Sequence, residues 1–252
     1  MREAAQGSTS RIGVAFEIPS ALLREVAPLA DLDFALAHRV LEDWPYAKFF
    51  ASRDLGRELI LDNSFHELGK PLTVLELHEA ARRSHADYVI APDVLGEPAK
   101  NLQWFRETQE GLGSEFKIAV VASGNTPDDR ARFLDATADA QMLCMPYREQ
   151  RLAWFLENPA RCSRVHLLGV STLEEAHAWT TVAGQFPHIR FSIDTSKPIK
   201  AAILGRALCD GGSLRGLPIS SKDLLGLTSF TPAQLVLMSQ NVQEFRRRLQ
   251  CP

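Results

Sequence analysis

Eight short apolar runs recur along the chain: "IGVAFE", "LDFALAH", "ELILDN", "DYVIAPD", "KIAVVAS", "QMLCMPY", "RVHLLGV" and "IRFSID". Each has the length and the branched or aromatic content of a buried strand. Segments of helical period separate them. In "TVLELHEAARRSH", Leu75, Leu77 and Ala81 read as one apolar stripe beside Glu76, Glu79, Arg82 and Arg83. This spacing leaves just enough chain for a right-handed helical crossover between parallel strands. Eight such units predict an α/β fold, a closed (β/α)8 TIM barrel. The length of 252 residues matches the roughly 250 that one such barrel uses. An open doubly wound sheet is the alternative, but it normally carries a glycine-rich turn after its first strand, and "VAFEIPSALL" has none.

The chain therefore reads as a single domain over residues 1–252, with the barrel at about 11–209 and a C-terminal extension at 210–252. The extension opens with the glycine- and serine-rich "CDGGSLRGLPISSKDLLGLTSF" and ends in the helix-like "TPAQLVLMSQNVQEFRRRL". Helix starts at "TPDD" and "STLEE" put a hydroxyl ahead of acidic first-turn residues, as capping and the helix dipole favour.

Strand exits are where this fold keeps its chemistry, because the scaffold fixes them while the loops vary. In order they present Glu17, His38, Asp62, Asp93, Ser123 with Gly124, Tyr147, Gly169 and Asp194. Each aspartate has an ordinary explanation. Asp62 precedes Asn63 and Ser64 and suits a turn, Asp93 suits the end of a strand before a loop, and Asp194 suits the cap of the next helix. Three on one rim are another matter, since clustered carboxylates repel unless a proton or ligand uses them. There is no H-x-H, no H-E-x-x-H and no grouped cysteines, so the pattern predicts no metal. Bond exchange at a sugar's anomeric carbon suits such a set: one carboxylate attacks, a second shuttles the proton and a third holds the leaving group.

Around these lie secondary candidates. His66 and Glu67 fall beside Asp62, and Gly169 offers a close backbone approach. Trp44, Tyr46, Phe49 and Phe50 form an aromatic cluster that reads either as core or as a stacking platform for a flipped-out nucleotide. Lys197 and Arg148 stand where phosphates would meet the rim.

The formal charge of −3 rules out a global basic field for unspecific nucleic-acid binding. Any polyanion must meet a local patch, and the arginine runs at 82–83, 130–132 and 246–248 read first as solvated helix faces. Cys144, Cys162, Cys209 and Cys251 form neither a C-x-x-C pair nor a disulfide framework. With no apolar leader at "MREAAQGSTSR" and no membrane-length apolar run, the expected setting is the cytoplasm, with reduced thiols.

The stretch "VHLLGVSTLEEAHAWTTVAGQFPHIRFSIDTSKP" resembles the signature segment of tRNA-guanine transglycosylases. There a leucine-methionine-glycine-valine-glycine strand exit and a helix lead to a phenylalanine-aspartate strand that bears the nucleophile. "LDNSFHELGKP" resembles that family's aspartate-serine-glycine-glycine-phenylalanine-glutamine motif, and "ADYVIAPDVLGEP" its base-reading segment. "VVASGNTPDDRARFLD" is similar to the isoleucine-valine-glutamine-glycine-glycine segment, with Ala122 at the glutamine's position. The resemblance covers about residues 58–205. It implies Asp194 as nucleophile and Asp62 as general acid/base. Asp93, Gly169, Ser123 and His66 would bind the base. The family's zinc site, three close cysteines and a histidine after the nucleophile strand, has no counterpart between Cys209 and Cys251. That departure implies no metal cofactor. It also turns the expected polymer from tRNA to DNA, as in shorter phage and genomic-island relatives that exchange guanine for a 7-deazaguanine. The implied partners are DNA, or tRNA, and a free 7-deazapurine base. A homodimer or a protein partner would help an acidic chain hold a polyanion.

Two competitors stay open. A small-molecule lyase or isomerase on the same barrel needs a Schiff-base lysine or a phosphate cradle, for which only "DGGS" offers a hint. A non-catalytic nucleic-acid-binding relative would fit the loss of the glutamine and the zinc ligands.

Overall fold

The computed structural model describes residues 12–53, 56–148, 150–159, 161–208, 214 and 216–250. Eight parallel strands follow one another around a barrel: β1 Gly13–Phe16, β2 Asp33–Leu36, β3 Leu59–Asp62, β4 Tyr88–Ile90, β5 Lys117–Val121, β6 Met142–Met145, β7 Arg164–Leu167 and β8 Arg190–Thr195. From β2 to β8 neighbours in sequence are neighbours in the sheet, and β1 pairs with β8. That pairing excludes the open doubly wound sheet. At the seam between β1 and β2, Asp31 N–H donates to the Val14 carbonyl at 2.8 Å and Val14 N–H to Asp31 Oδ2 at 3.1 Å. The protein is thus a nearly closed (β/α)8 barrel.

Strand alternation divides the core in two. Val165, Leu167, Phe191 and Ile193 point outward into the layer between sheet and helices, where Phe155 meets Trp179 and Phe191 edge to face. Truncating Phe155 to alanine would cost about 3–5 kcal/mol. Phe34, Leu36, Ile60, Tyr88, Ile90, Val121, Met142 and Cys144 fill the barrel itself. Helix starts follow the expected capping: Thr126 accepts from Asp129 N–H and Thr172 from Glu175 N–H. The stripe of helix Val74–Ser84 is carried by Leu77, Ala80 and Ala81, whereas Leu75 is exposed. At 100° per residue Leu75 lies roughly 200° round from Leu77, so the two cannot share a face.

The C-terminal helix Pro232–Gln250 docks on helices Lys197–Ile203 and Leu173–Gln185. Between barrel and tail, the short helix Ser221–Leu225 turns back over the mouth and places Leu225 in the cluster inside the barrel. Residues 209–213, with "DGGS", and Cys251 lie outside the described residues. No helix among the described residues is long and apolar enough to cross a membrane.

Candidate active site

The ends of β1, β3, β4 and β8 bring carboxyl groups to one mouth of the barrel. Asp194 sits opposite Ala15 of β1 in the sheet register, with Ser192 and Asp194 on the inner face of β8. The side chain is buried. Its Oδ1 accepts the Gly169 amide at 3.0 Å and meets His166 Nε2 at 3.2 Å, a donor set suited to a carboxylate. Oδ2 accepts no hydrogen bond among the described residues. Asp194 does not cap the next helix, Lys197–Ile203, whose N-cap is Ser196 and which has no side-chain cap. Gly169 has φ +62°, and a Cβ there would meet nothing closer than 4.0 Å. Backbone conformation, not crowding, is what favours glycine at this position. Its amide goes to Asp194.

Asp62 ends β3 and accepts the Ser64 amide on Oδ1 at 2.7 Å. The turn forces Ser64 to φ +60°, a left-handed conformation that costs roughly 1–2 kcal/mol for a residue with a Cβ. The Ser64 hydroxyl then accepts His38 N–H at 3.1 Å, tying the exits of β2 and β3 together. Burial raises the Asp62 carboxyl well above the usual carboxylate range. Repulsion from Glu67, Asp194 and Asp93 adds to the rise, and the Ser64 amide opposes it. Asp93 is joined to the same turn, because Asn63 Nδ2 donates both to Asp93 Oδ1 at 2.9 Å and to the Ala91 carbonyl at 2.8 Å. Burial raises Asp93 as well, against the pull of the Asn63 hydrogen bond and the Arg148 charge.

A second polar group adjoins this one at the exit of β1. Burial, then repulsion from Glu67, pushes Glu17 up to about 7; Lys200 pulls the other way and Asp194 adds to the rise. Ser221 Oγ donates to Glu17 Oε2 at 3.2 Å and receives Lys200 Nζ at 3.2 Å, so the helix over the mouth is pinned by this contact. Glu17 Oε1 and Glu67 Oε2 are shielded from solvent without a hydrogen-bond partner among the described residues. Glu67 is raised, chiefly by burial. Burial also lowers the Lys200 ammonium, against the attraction of Glu17.

The structure brings Asp62, Asp93, Asp194 and Gly169 together at the mouth. Ser123 is buried, and its hydroxyl accepts Asn101 Nδ2 at 3.0 Å, while Asn101 also holds both backbone groups of Val94. That places Ser123 in the scaffold under the β4 loop. His66 is exposed on the short helix Phe65–Leu68. Of the aromatic cluster, Tyr46 and Phe50 are core, with Tyr46 Oη accepting Leu36 N–H, and Trp44 is exposed. Tyr147 stands exposed at the rim, its ring 5.6 Å from the Arg151 guanidinium.

Two residues at the site escaped the reading of strand exits. His166 lies in the middle of the strand run "RVHLLGV" and passes as strand filler; the signal is its alternation with Val165 and Leu167, which turns it inward. Lys200 lies on the helix after β8 and becomes part of the site only because that helix packs against the mouth. Among the described residues no group of three or more His, Cys, Asp or Glu is arranged to hold a metal ion.

No protein-family model matches the chain, and no curated protein matches it. Among solved structures the chain is similar to the YdjI aldolase from Escherichia coli K12, with 10% identity, 97% of this chain and 91% of that chain covered, and a TM-score of 0.59. A monomer of the dimeric phosphoribosylanthranilate isomerase from Thermotoga maritima also matches, with 10% identity, 92% and 99% coverage and a TM-score of 0.47. At 10% identity the likeness to the aldolase speaks for the barrel.

Proposed function

We propose that this protein is an enzyme that exchanges a purine base at the glycosidic bond of a polynucleotide, DNA in the first instance, with a 7-deazaguanine as the incoming base. One observation carries the reading: a buried Asp194 with one oxygen held by two donors and the other unengaged shares the mouth with Asp62, whose carboxyl is raised well above the ordinary range, chiefly by burial. A nucleophilic carboxylate and a carboxyl that can give up a proton are what glycosidic exchange requires. Asp194 Oδ2 attacks C1′ of the nucleotide. The C1′–N9 bond breaks, its electron pair leaves with guanine, and Asp62 supplies the proton the departing base needs. The incoming base gives its proton to Asp62 and attacks C1′, releasing Asp194. Asp93, set beside Asp62 through Asn63, accepts hydrogen bonds from the base edge. The target nucleotide must leave the stack to enter such a mouth. The left-handed backbone at Ser64 supports the resemblance to transglycosylases, because it falls where that motif carries glycine.

Incubation with radiolabelled guanine and either DNA or tRNA tests this. The expected result is label in DNA, together with a denaturation-resistant protein–DNA adduct that Asp194→Asn cannot form. Label in neither polymer defeats the proposal, and label in tRNA alone moves the substrate to RNA.

One observation favours a second reading, a small-molecule lyase or isomerase. Burial lowers Lys200, which makes an amine more nucleophilic near neutrality, and the barrel is similar to that of an aldolase. Borohydride trapping of a carbonyl compound on Lys200 would support it; no trapping would remove it.

A further inference from the structure

We infer that His166 is a positioning residue that fixes which oxygen of Asp194 is the nucleophile; this rests on the base-exchange reading of Asp194. The imidazole is fully buried inside the barrel, beneath Asp194, with its ring stacked on Phe34 at 5.5 Å between centroids. Its two nitrogens have separate partners: Nδ1 lies 2.8 Å from Ser192 Oγ and Nε2 lies 3.2 Å from Asp194 Oδ1. The nucleophile role needs Asp194 as a carboxylate, which offers no proton, and on that reading the N–H of this pair is on Nε2. The Ser192 hydroxyl closes the chain at Nδ1. Ser192 and His166 also face each other in the sheet register, so two adjacent strands carry the chain and the loops do not. The order serine, histidine, aspartate brings to mind a hydrolytic triad, but Ser192 precedes Asp194 on β8 and so lies deeper in the barrel, with the carboxylate nearer the mouth.

The consequence is geometric. Gly169 N–H and His166 Nε2–H both converge on Oδ1, which removes the freedom of the carboxylate to rotate and leaves Oδ2 directed at the opening. Without the imidazole, only the Gly169 amide would hold Asp194. Attack geometry, and not affinity for the base or the polymer, is what such a loss disturbs.

The test compares His166→Leu, which fills the space without a donor, with His166→Gln, whose amide nitrogen stands near the position of Nε2. In labelled-guanine exchange, His166→Leu is expected to lower kcat by about 100-fold with KM unchanged, and His166→Gln to recover most of that loss. Wild-type kcat in His166→Leu, or equal loss in both variants, overturns the inference. Imidazole nitrogen-15 spectra provide a readout that needs no activity. The wild-type protein should carry its proton on Nε2, with that resonance shifted in Asp194→Ala and the Nδ1 resonance shifted in Ser192→Ala. An unprotonated Nε2, or resonances indifferent to both substitutions, overturns the inference even where exchange is active. Absent exchange with the expected spectra instead strikes the base-exchange reading and leaves the His166–Asp194 contact standing.

Discussion

At the closed end of the barrel Arg164 is buried and paired with Glu58 at 2.7 Å, and its guanidinium lies 5.0 Å from the Tyr88 ring. Lys117 lies over the same ring, Arg57 holds Asp33 at 2.6 Å, and Arg53 joins Asp87 to the carbonyls of Ser84 and His85. At the open end Asp62, Asp93, Glu17 and Glu67 share one space and all are raised by burial, with Lys200 and Arg148 offsetting only part of the repulsion. The same strands supply both ends, so neither strand chemistry nor composition explains the contrast. Charges at the floor are matched because they only have to hold strands in place. Those at the mouth are left mismatched, which costs stability.

Breaking the mouth at its centre should have the largest effect. Asp194→Asn is expected to lower exchange by at least about a thousandfold and to abolish the adduct, with the urea midpoint unchanged. Loss of folding instead would mean that Asp194 belongs with the structural charges. The floor should respond in the opposite sense. Arg164→Leu removes the buried partner of Glu58, which keeps Arg190 at 3.6 Å, and should cost about 1–3 kcal/mol of unfolding free energy, read from denaturant midpoints, while the rate per folded molecule stays at the wild-type value. A fall in that rate would blur the division between the two ends.

Asp62→Asn comes next. It should lower exchange by about 100-fold with folding preserved. Because burial raises the Asp62 carboxyl, its proton is lost only as pH rises. The wild-type rate should therefore fall on the alkaline side, and the variant should lack that limb. The smallest effect is a linkage. Glu17 goes from an ordinary value of 4.5 to about 7 on folding, so the native state binds its proton more tightly than the unfolded chain does. The native advantage is complete below 4.5 and is lost as pH rises to about 7. Glu17→Gln should remove this slope, making the protein more stable than wild type at pH 8 by on the order of 2 kcal/mol. Equal pH slopes in the two proteins would show that Glu17 titrates in water like any surface carboxylate.

Much of the site was legible where function and strand period coincide. Asp62, Asp93 and Asp194 each follow an apolar run at the point where it must leave the sheet, so their place on one rim follows from eight-fold alternation alone. Ser123 stands at such an exit too, yet its hydroxyl is committed to Asn101, a residue on helix Pro98–Leu112 of the preceding repeat. Exit position says where a side chain begins and nothing about which partner it finds. His166 was hidden for the converse reason. It lies inside a strand, where alternation gives its direction and only the structure gives its partners, Ser192 and Asp194. Leu75 misled because proximity in sequence was read as a shared helix face.

What the amino-acid order determined by itself is the barrel and the ring of residues at its mouth, because local period, crossover length and strand number leave one closed arrangement. Tertiary structure alone decided how the charges are partnered: that Lys200 and Ser221 meet Glu17, that Glu67 crowds Asp62, and that one oxygen of Asp194 is held while the other is not. Electrostatic energy depends on distances between groups that are far apart along the chain and on the water that packing excludes.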